Sequence, residues 1–207
     1  MARRPRSAAD SRAAVFDAAV LEFSERGFDA AGVDRIAARA RVNKAMIYYH
    51  FGSKRLLYLE ILRDAFQAVG RRGRGIADGD GTAFDKLDRW VVAIVEEGAK
   101  RPWLPPIMLR EVASGAPHLD PDTFALMNGV FAAVKDIIDQ GKREGTFRDA
   151  DPLLTHLTIL PPILIFFARE RVRAASKTTR GLFAPRQLDQ FVRHMQASAR
   201  GMLRKDV

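Results

Sequence analysis

Apolar side chains recur every three or four residues along almost the whole chain, the spacing that places them on one face of an α-helix. Glycine and proline separate the periodic segments, and no segment alternates apolar and polar residues as a half-buried strand does. Apolar residues make up 47% and charged residues 29% of the 207 residues, a balance that allows a buried core. The sequence therefore predicts an all-α fold and excludes a disordered or collagen-like chain.

A segment rich in glycine and arginine, residues 70–81, divides the periodic pattern into two parts. It holds five glycines and carries no apolar stripe, so we predict a domain boundary there. Residues 1–69 then form an N-terminal domain, with helices expected over 11–26, 34–40, 44–51 and 54–69. Residues 82–207 form a larger helical domain, with helices expected at about 84–95, 107–114, 127–145, 153–167 and 185–203. Ser53 is expected to cap the helix at 54–69, and Asp151, which precedes Pro152, is expected to cap the helix at 153–167.

One stretch of the first domain carries charge of a single sign. Between Asp34 and Glu60 there are six basic residues and no acid: Arg35, Arg39, Arg41, Lys44, Lys54 and Arg55. The same stretch resolves into two short helices joined by a tight turn, with small residues where the helices would cross. This pattern is typical of a helix-turn-helix, at about residues 32–51, whose basic face suits phosphate. The net charge of +9 also favours an anionic partner, either nucleic acid or a membrane surface.

Several classes of protein are excluded or disfavoured by the rest of the sequence. The chain has no cysteine, so it has neither a disulfide framework nor a thiolate metal site, and an intracellular location is expected. Residues 1–6 are basic but precede no apolar segment, unlike a signal peptide. The longest apolar run, residues 157–168, is short for a membrane span and contains two prolines. We therefore expect a soluble, cytoplasmic protein with no membrane association.

The string from Val33 to Leu57, VDRIAARARVNKAMIYYHFGSKRLL, resembles the N-terminal domain of the tetracycline-repressor (TetR) family. The resemblance extends back through AAVLEFSERGF, residues 18–28, and its most specific parts are Ile36-Ala37 and the run 48–51 followed by Lys54. Beyond residue 60 the likeness is looser. There, GTFRDADP at residues 145–152 resembles the family's link into its dimerisation helices.

The resemblance implies a homodimeric one-component regulator, most simply a repressor that binds a palindromic operator in double-stranded DNA and is released by a small-molecule effector. Two positions depart from the family pattern. Arg41 stands where a turn glycine is usual, and we expect it to adopt a positive φ at a cost of about 1 kcal/mol or more. Gly32 stands where Thr or Ser usually opens the motif, so a weaker helix cap is expected.

The DNA-binding candidates lie on and around the second helix of the motif. Residues 43–46 occupy its N-terminal tip and are expected to reach base edges, with Lys44 directed to guanine and Met46 or Ala45 to a thymine methyl. By resemblance, Tyr49, His50 and Lys54 contact the DNA backbone. For Tyr48 two interpretations are open: its ring packs in the domain, or its hydroxyl contacts a phosphate. The complete set is Arg41, Asn43, Lys44, Ala45, Met46, Tyr48, Tyr49, His50 and Lys54. A basic arm of Arg3, Arg4 and Arg6 either enters the minor groove or remains a solvated tail.

Bulky apolar residues on several helices of the second domain are candidates for the lining of an effector cavity. They are Trp90, Trp103, Met108, Phe124, Met127, Phe131 and Phe166. An ordinary core is the alternative interpretation for each of them. Taken together they predict a mostly apolar effector, an aromatic or acyl-chain compound, whose polar end is oriented by Arg110, Glu111 or His118. Pro161 and Pro162 form a deformable element beside the cavity.

A second apolar stripe, near the C-terminus, is predicted to form the homodimer interface. It consists of Leu188, Phe191, Val192, Met195 and Met202. Packed with the apolar helix before it, across a twofold axis, it would complete a four-helix bundle.

Catalysis and metal binding find no support in the sequence. His118, His156 and His194 lack the spacing of metal ligands, and we expect neither a metal nor another cofactor. The chain has no glycine-rich phosphate loop and no Ser/His/Asp set, so it is not expected to be an enzyme. Two alternatives remain. A sequence-nonspecific DNA-packaging protein explains the charge, and a helical small-molecule carrier or enzyme explains the apolar second domain.

Overall fold

The computed structural model describes residues 7–175 and 187–205, and it describes side chains in all of these except 170–175. Over these ranges the chain forms α1 (Ala8–Ala30), α2 (Val33–Ala40), α3 (Lys44–Phe51), α4 (Lys54–Asp78), α5 (Ala83–Lys100), α6 (Leu104–Ala113), α7 (Pro121–Arg143), α8 (Pro152–Ala175) and α9 (Leu188–Leu203). The described residues contain no strand, only one isolated bridge between Phe147 and Arg204. The all-α prediction is confirmed. Arg3, Arg4, Arg6 and residues 185–186 lie outside the described ranges.

Capping residues set the start of most helices. Ser53 accepts a hydrogen bond from the amide of Leu56 at 3.1 Å, and Asp151 accepts one from Leu154 at 2.9 Å, so both caps are where the sequence predicted them. The start predicted for α6 was wrong. It begins at Leu104 because Pro105 lies in the first helical turn, where no backbone donor is needed.

The predicted end of the first helix at residue 26 was wrong, because Gly27 interrupts α1 but does not end it. Its φ of 75° and ψ of 175° are not helical, and one further turn follows up to Ala30. A side chain other than glycine is strained at this φ. The kink directs Phe28 inward, where its ring lies 5.0 Å from that of Tyr58 on α4 and 4.3 Å from that of His118.

The predicted end of α4 at residue 69 was wrong, because the helix continues to Asp78 through the glycine-rich segment. Gly73 explains this. A Cβ there would lie 3.2 Å from the Cβ of Ala133, so the glycine allows α4 and α7 to approach closely. Arg74 also lies 2.6 Å from Asp136 of α7. Gly73 thus serves helix packing, and the division into domains 1–69 and 82–207 stays a prediction.

Two apolar clusters form the core. The first joins α1–α4 with α6 and the start of α7, and the second joins the end of α4 with α5, α7, α8 and α9. Because α6 packs in the first cluster, the chain after residue 82 contributes to both. The helix-turn-helix is therefore seated on part of the second half of the chain.

Helix α8 is more apolar than the run of residues 157–168 suggested. Among the described helices it alone is long and apolar enough to cross a membrane, over Pro152–Arg169 with a mean hydropathy of 1.4. Only 22% of this window is buried within the chain. Interface helices of soluble oligomers have the same character.

Candidate functional site

The helix-turn-helix has a buried side and an exposed side, as the sequence predicted. Ala37 and Ala40 of α2 are buried where the helices cross, and Ile47 and Phe51 of α3 close the core beneath them. The opposite side of α3 faces solvent. Its exposed residues are Asn43, Lys44, Ala45, Tyr48 and Tyr49, whereas Met46 and His50 are half-buried. The exposed placement of α3 is therefore confirmed, and its role in reading DNA stays a prediction.

The turn of the motif depends on Arg41. Its φ of 56° and ψ of 46° are left-handed, as predicted from the missing glycine. In this conformation the Arg41 amide donates to the carbonyl of Ala38, and the Val42 amide donates to that of Ala37, both at 3.1 Å. Gly32 caps α2 without any side-chain hydrogen bond, which was also predicted.

The single-sign charge of residues 34–60 is balanced in part by acids elsewhere. Arg35 lies 2.5 Å from the buried Glu22 of α1, and Arg39 lies 2.9 Å from Glu25. Lys44 lies 2.9 Å from Asp34, and the hydrogen bond and charge of this aspartate raise the lysine pKa. Counting charge along the chain missed the pairs with Glu22 and Glu25 because α1 packs against α2 only in the folded chain. The prediction that this stretch carries charge of a single sign was therefore too simple.

Two of the predicted phosphate contacts already have partners within the chain. The Nε2 of His50 lies 2.7 Å from the hydroxyl of Ser11. The ammonium of Lys54 donates to the carbonyl of Asp29 at 3.3 Å and lies 4.5 Å from the centre of the Phe28 ring, and burial lowers its pKa. By contrast, the side chain of Tyr49 is 76% exposed. Tyr49 is thus the most accessible of the predicted backbone contacts, and all three roles stay predictions.

A cavity of about 360 Å³ lies between α4, α5, α6, α7 and α8. Three of the seven predicted lining residues, Met108, Met127 and Phe131, do line it. The sequence analysis missed most of the remaining wall, which includes Phe66, Ile94, Leu104, Leu160 and Ile163. Medium-sized aliphatic residues on the inner faces of converging helices look like ordinary core in a sequence, so no distinct signal marked them.

The other four predicted lining residues lie elsewhere. Trp90 is fully buried in the second cluster, and Trp103 and Phe124 pack against the first. Phe166 stacks on Phe191 of α9, with ring centres 3.8 Å apart. These predictions were wrong because side-chain bulk does not reveal which neighbour a helix face meets.

The three residues expected to orient the effector also lie outside the cavity wall. Arg110 of α6 instead donates to the carbonyls of Ser24 and Glu25 in α1, at 2.7 and 3.2 Å. Glu111 accepts from the hydroxyl of Tyr58 at 2.6 Å, and its carboxylate lies 2.8 Å from Nδ1 of His118. These residues join α6 to the helix-turn-helix domain. The polar residues that do line the cavity are Glu97, Asn128 and His156.

The predicted dimer stripe of α9 lies partly inside the protomer. Met195 is 5% exposed and belongs to the second cluster, so its side chain is not accessible to a partner chain. Phe191, Val192 and Met202 are half-buried against the same cluster, and only Leu188 is clearly exposed. Four of the large exposed apolar side chains lie on α8 instead. They are Leu153, Leu154, Leu157 and Ile165.

No group of three or more His, Cys, Asp or Glu side chains within the described ranges has a geometry suited to a metal ion. His118 lies against Glu111 of α6, His156 lies on the cavity wall, and His194 is exposed on α9.

Known proteins share this arrangement. The family model described as bacterial regulatory proteins, tetR family, matches residues 15–61, which include the whole helix-turn-helix. The chain is 28% identical over 170 residues to the transcriptional repressor NicS of Pseudomonas putida, covering 79% of this chain and 78% of NicS. It is 46% identical over 52 residues to the repressor SCO4008 of Streptomyces coelicolor, of which it spans only 27%.

A solved structure supports the fold over the whole chain. The ketosteroid transcriptional regulator KstR2 of Mycobacterium tuberculosis matches with a TM-score of 0.76 at 22% identity, covering 98% of each chain. The match therefore extends from the helix-turn-helix through the helices that enclose the cavity. Residues 15–61 thus belong to the tetR family of bacterial regulatory proteins, and the likeness to KstR2 shows that the whole chain has the same fold.

Proposed function

We propose that this regulator is a cytoplasmic repressor that binds a palindromic operator as a homodimer and is released when a mostly apolar effector fills the cavity. The observation that carries the proposal is the position of α6. This helix contributes Leu104 and Met108 to the cavity wall, while its Arg110 bonds to α1 at the edge of the helix-turn-helix domain.

The exposed side of α3 supports operator reading. Asn43 caps the helix by accepting from the amide of Ala45 at 2.9 Å, which holds the tip residues in a fixed frame. Lys44 and Ala45 then face outward from the first turn, where a reading helix meets base edges in the major groove. Tyr49, one turn further along, is placed for the phosphate backbone.

The exposed apolar face of α8 supports dimerisation. Leu154 and Ile165 are 64% and 57% exposed, which is unusual for large apolar residues clustered on one helix. Together with the exposed face of α9, two copies of α8 would form a four-helix bundle across a twofold axis. The proposed interface thus still involves both helices, but its apolar centre lies on α8 and not on α9.

The link between cavity and DNA depends on a change in α6. A ligand shifts an equilibrium only if it binds two conformations with different affinity. Displacement of Met108 by a ligand would move Arg110 and Glu111 on the same helix, and with them the contacts to Ser24 and Tyr58. Such a movement would change the separation of the two α3 helices in a dimer and favour the state that does not bind DNA.

Selection of bound fragments from the source genome, followed by binding measurements at one salt concentration, tests the proposal. We expect the selected operator to bind at least about a thousandfold more tightly than a shuffled sequence. Equal affinity for both would instead favour a DNA-packaging protein, and no DNA binding at all would favour a small-molecule carrier.

A further inference from the structure

We propose that the compound held in the cavity is uncharged there and directs one hydrogen-bonding group, such as a hydroxyl or a carbonyl, at His156. This inference rests on the proposed function, because it assigns a chemical class to the effector. It is carried by two groups on the cavity wall, His156 of α8 and Glu97 of α5.

His156 is a buried polar side chain whose hydrogen bonding is incomplete. It is 9% exposed, it lines the cavity, and its Nδ1 is buried without a hydrogen-bond partner. The ring is held in place by Trp90 and Phe131, with ring centres 6.0 and 5.4 Å away. Buried polar atoms are nearly always paired, so a ligand or water is expected to complete the bonding of this ring.

The imidazole is neutral at physiological pH, since burial lowers its pKa to about 4. A neutral imidazole offers one N–H donor and one acceptor nitrogen. It therefore suits a hydroxyl, which can accept or donate, or a carbonyl, which can accept. It does not supply the positive charge that would compensate a carboxylate in an apolar cavity.

Glu97 adds a negative charge to the same wall. Its carboxylate accepts from Arg72 and Lys100, both at 3.2 Å, and also from Arg101. Burial opposes its ionisation, but the Lys100 hydrogen bond, the Arg101 charge and the Arg72 hydrogen bond outweigh burial and lower its pKa. Glu97 is therefore ionised, its charge is already compensated by these three cations, and it offers an anionic ligand no favourable contact at the wall.

A cationic ligand is disfavoured as well. Both oxygens of Glu97 already accept hydrogen bonds from cationic side chains, and those three cations are not part of the wall. An ammonium inside the cavity would have to displace one of them. Apart from Glu97, His156 and Asn128, the described wall is apolar, so no other group there compensates a charge.

Three probes with the same ring system and different head groups test the inference. Naphthalene, 2-naphthol and 2-naphthoate are titrated into the whole protein at pH 7 by calorimetry. We expect 2-naphthol to bind about three- to tenfold more tightly than naphthalene, the advantage of one neutral hydrogen bond. We expect 2-naphthoate to bind at least about a hundredfold more weakly than 2-naphthol, because its charge stays uncompensated.

Variants assign these differences to the two side chains. His156→Leu should remove the advantage of 2-naphthol over naphthalene, while His194→Leu, the matched change on the exposed face of α9, should leave it intact. Glu97→Gln should narrow the gap in affinity between 2-naphthoate and 2-naphthol by about tenfold, because Arg72, Lys100 and Arg101 are then left without their carboxylate partner beside the wall. The ranking of the probes by the unaltered protein tests the inference even if a variant fails to fold.

Equal affinity for 2-naphthoate and 2-naphthol would overturn the inference, as would no binding of any probe up to its solubility limit. Operator binding is measured on the same samples and fails or succeeds separately. A protein that ranks the probes as expected but binds no DNA would retain the ligand assignment and lose the proposed repressor function.

Discussion

The reading helix and the cavity are built in different ways. In α3, an N-cap at Asn43, a left-handed Arg41 and two buried side chains fix the helix, all within about ten residues of one another. The cavity instead needs five helices, and residues as distant as Phe66 and Ile163 share its wall. The exposed side of α3 is therefore set by local geometry. The cavity depends on how the helices pack, so it is the part that can change shape.

The largest effect is expected at the exposed face of α8, outside both regions. Leu154→Asp should give monomers and weaken operator binding by more than about a hundredfold, because two linked reading helices bind far more tightly than one. Sedimentation and operator titration measure the two effects. Leu21→Asp, the same change at an exposed position of α1, should stay dimeric. A dimeric Leu154→Asp protein would place the interface elsewhere.

The cavity side should also be more sensitive to acid than α3. The folded state lowers the pKa of His156 from 6.5 to about 4, so its contribution to stability is complete above pH 6.5 and is lost as the pH falls toward 4. Between pH 7 and pH 4.5, the unfolding free energy of the His156→Gln variant should decrease by about 2–3 kcal/mol less than that of the unaltered protein. Urea unfolding at both pH values measures it, with His194→Gln as control. An identical pH dependence in all three proteins would contradict the assignment.

Filling the cavity should separate ligand binding from DNA binding. Met127→Trp occupies the wall and should weaken 2-naphthol binding by about tenfold or more, while operator affinity without ligand stays within about twofold. Ala125→Trp is a matched control, since Ala125 is exposed and does not line the cavity. If both variants lost the ligand equally, the cavity would not be the binding site.

On α3, Lys44→Ala should relax preference at one base-pair position, at a cost of about 1–3 kcal/mol for the preferred base. Tyr49→Phe should instead weaken all sequences alike, because it removes a contact to the backbone. Fluorescence anisotropy with single-base variants of the operator distinguishes the two. A uniform loss in Lys44→Ala would show that Lys44 contacts phosphate, consistent with its present pairing to Asp34.

The smallest effect concerns the turn. Arg41→Gly should raise the unfolding free energy by about 1 kcal/mol, because glycine adopts a φ of 56° without strain. Ala116→Gly, at the other described non-glycine residue with positive φ, should raise stability similarly without altering DNA binding. Loss of operator affinity in Arg41→Gly alone would reveal a phosphate contact by the arginine. No gain in stability at either position would contradict the strain argument.

The sequence predicted the features that depend on short-range geometry. The helix caps at Ser53 and Asp151, the positive φ of Arg41 and the exposed side of α3 follow from a few neighbouring residues. It failed where the answer depends on which helices meet. Gly73 was taken for a linker although it packs against α7, and Arg110 was assigned to the ligand although it bonds to α1. Residue type limits what a side chain can do, but only the tertiary structure supplies its neighbours.

Under the proposed function, a ligand in the cavity alters the spacing of the two reading helices. The chain has no cysteine, so Leu21→Cys, at an exposed position of α1 outside the proposed DNA contacts, provides one spin label per protomer and reports the separation of the two helix-turn-helix domains. We expect one inter-label distance on the operator and a shift of at least about 2 Å with saturating 2-naphthol. A distance that stayed the same while 2-naphthol released the operator would contradict the claim.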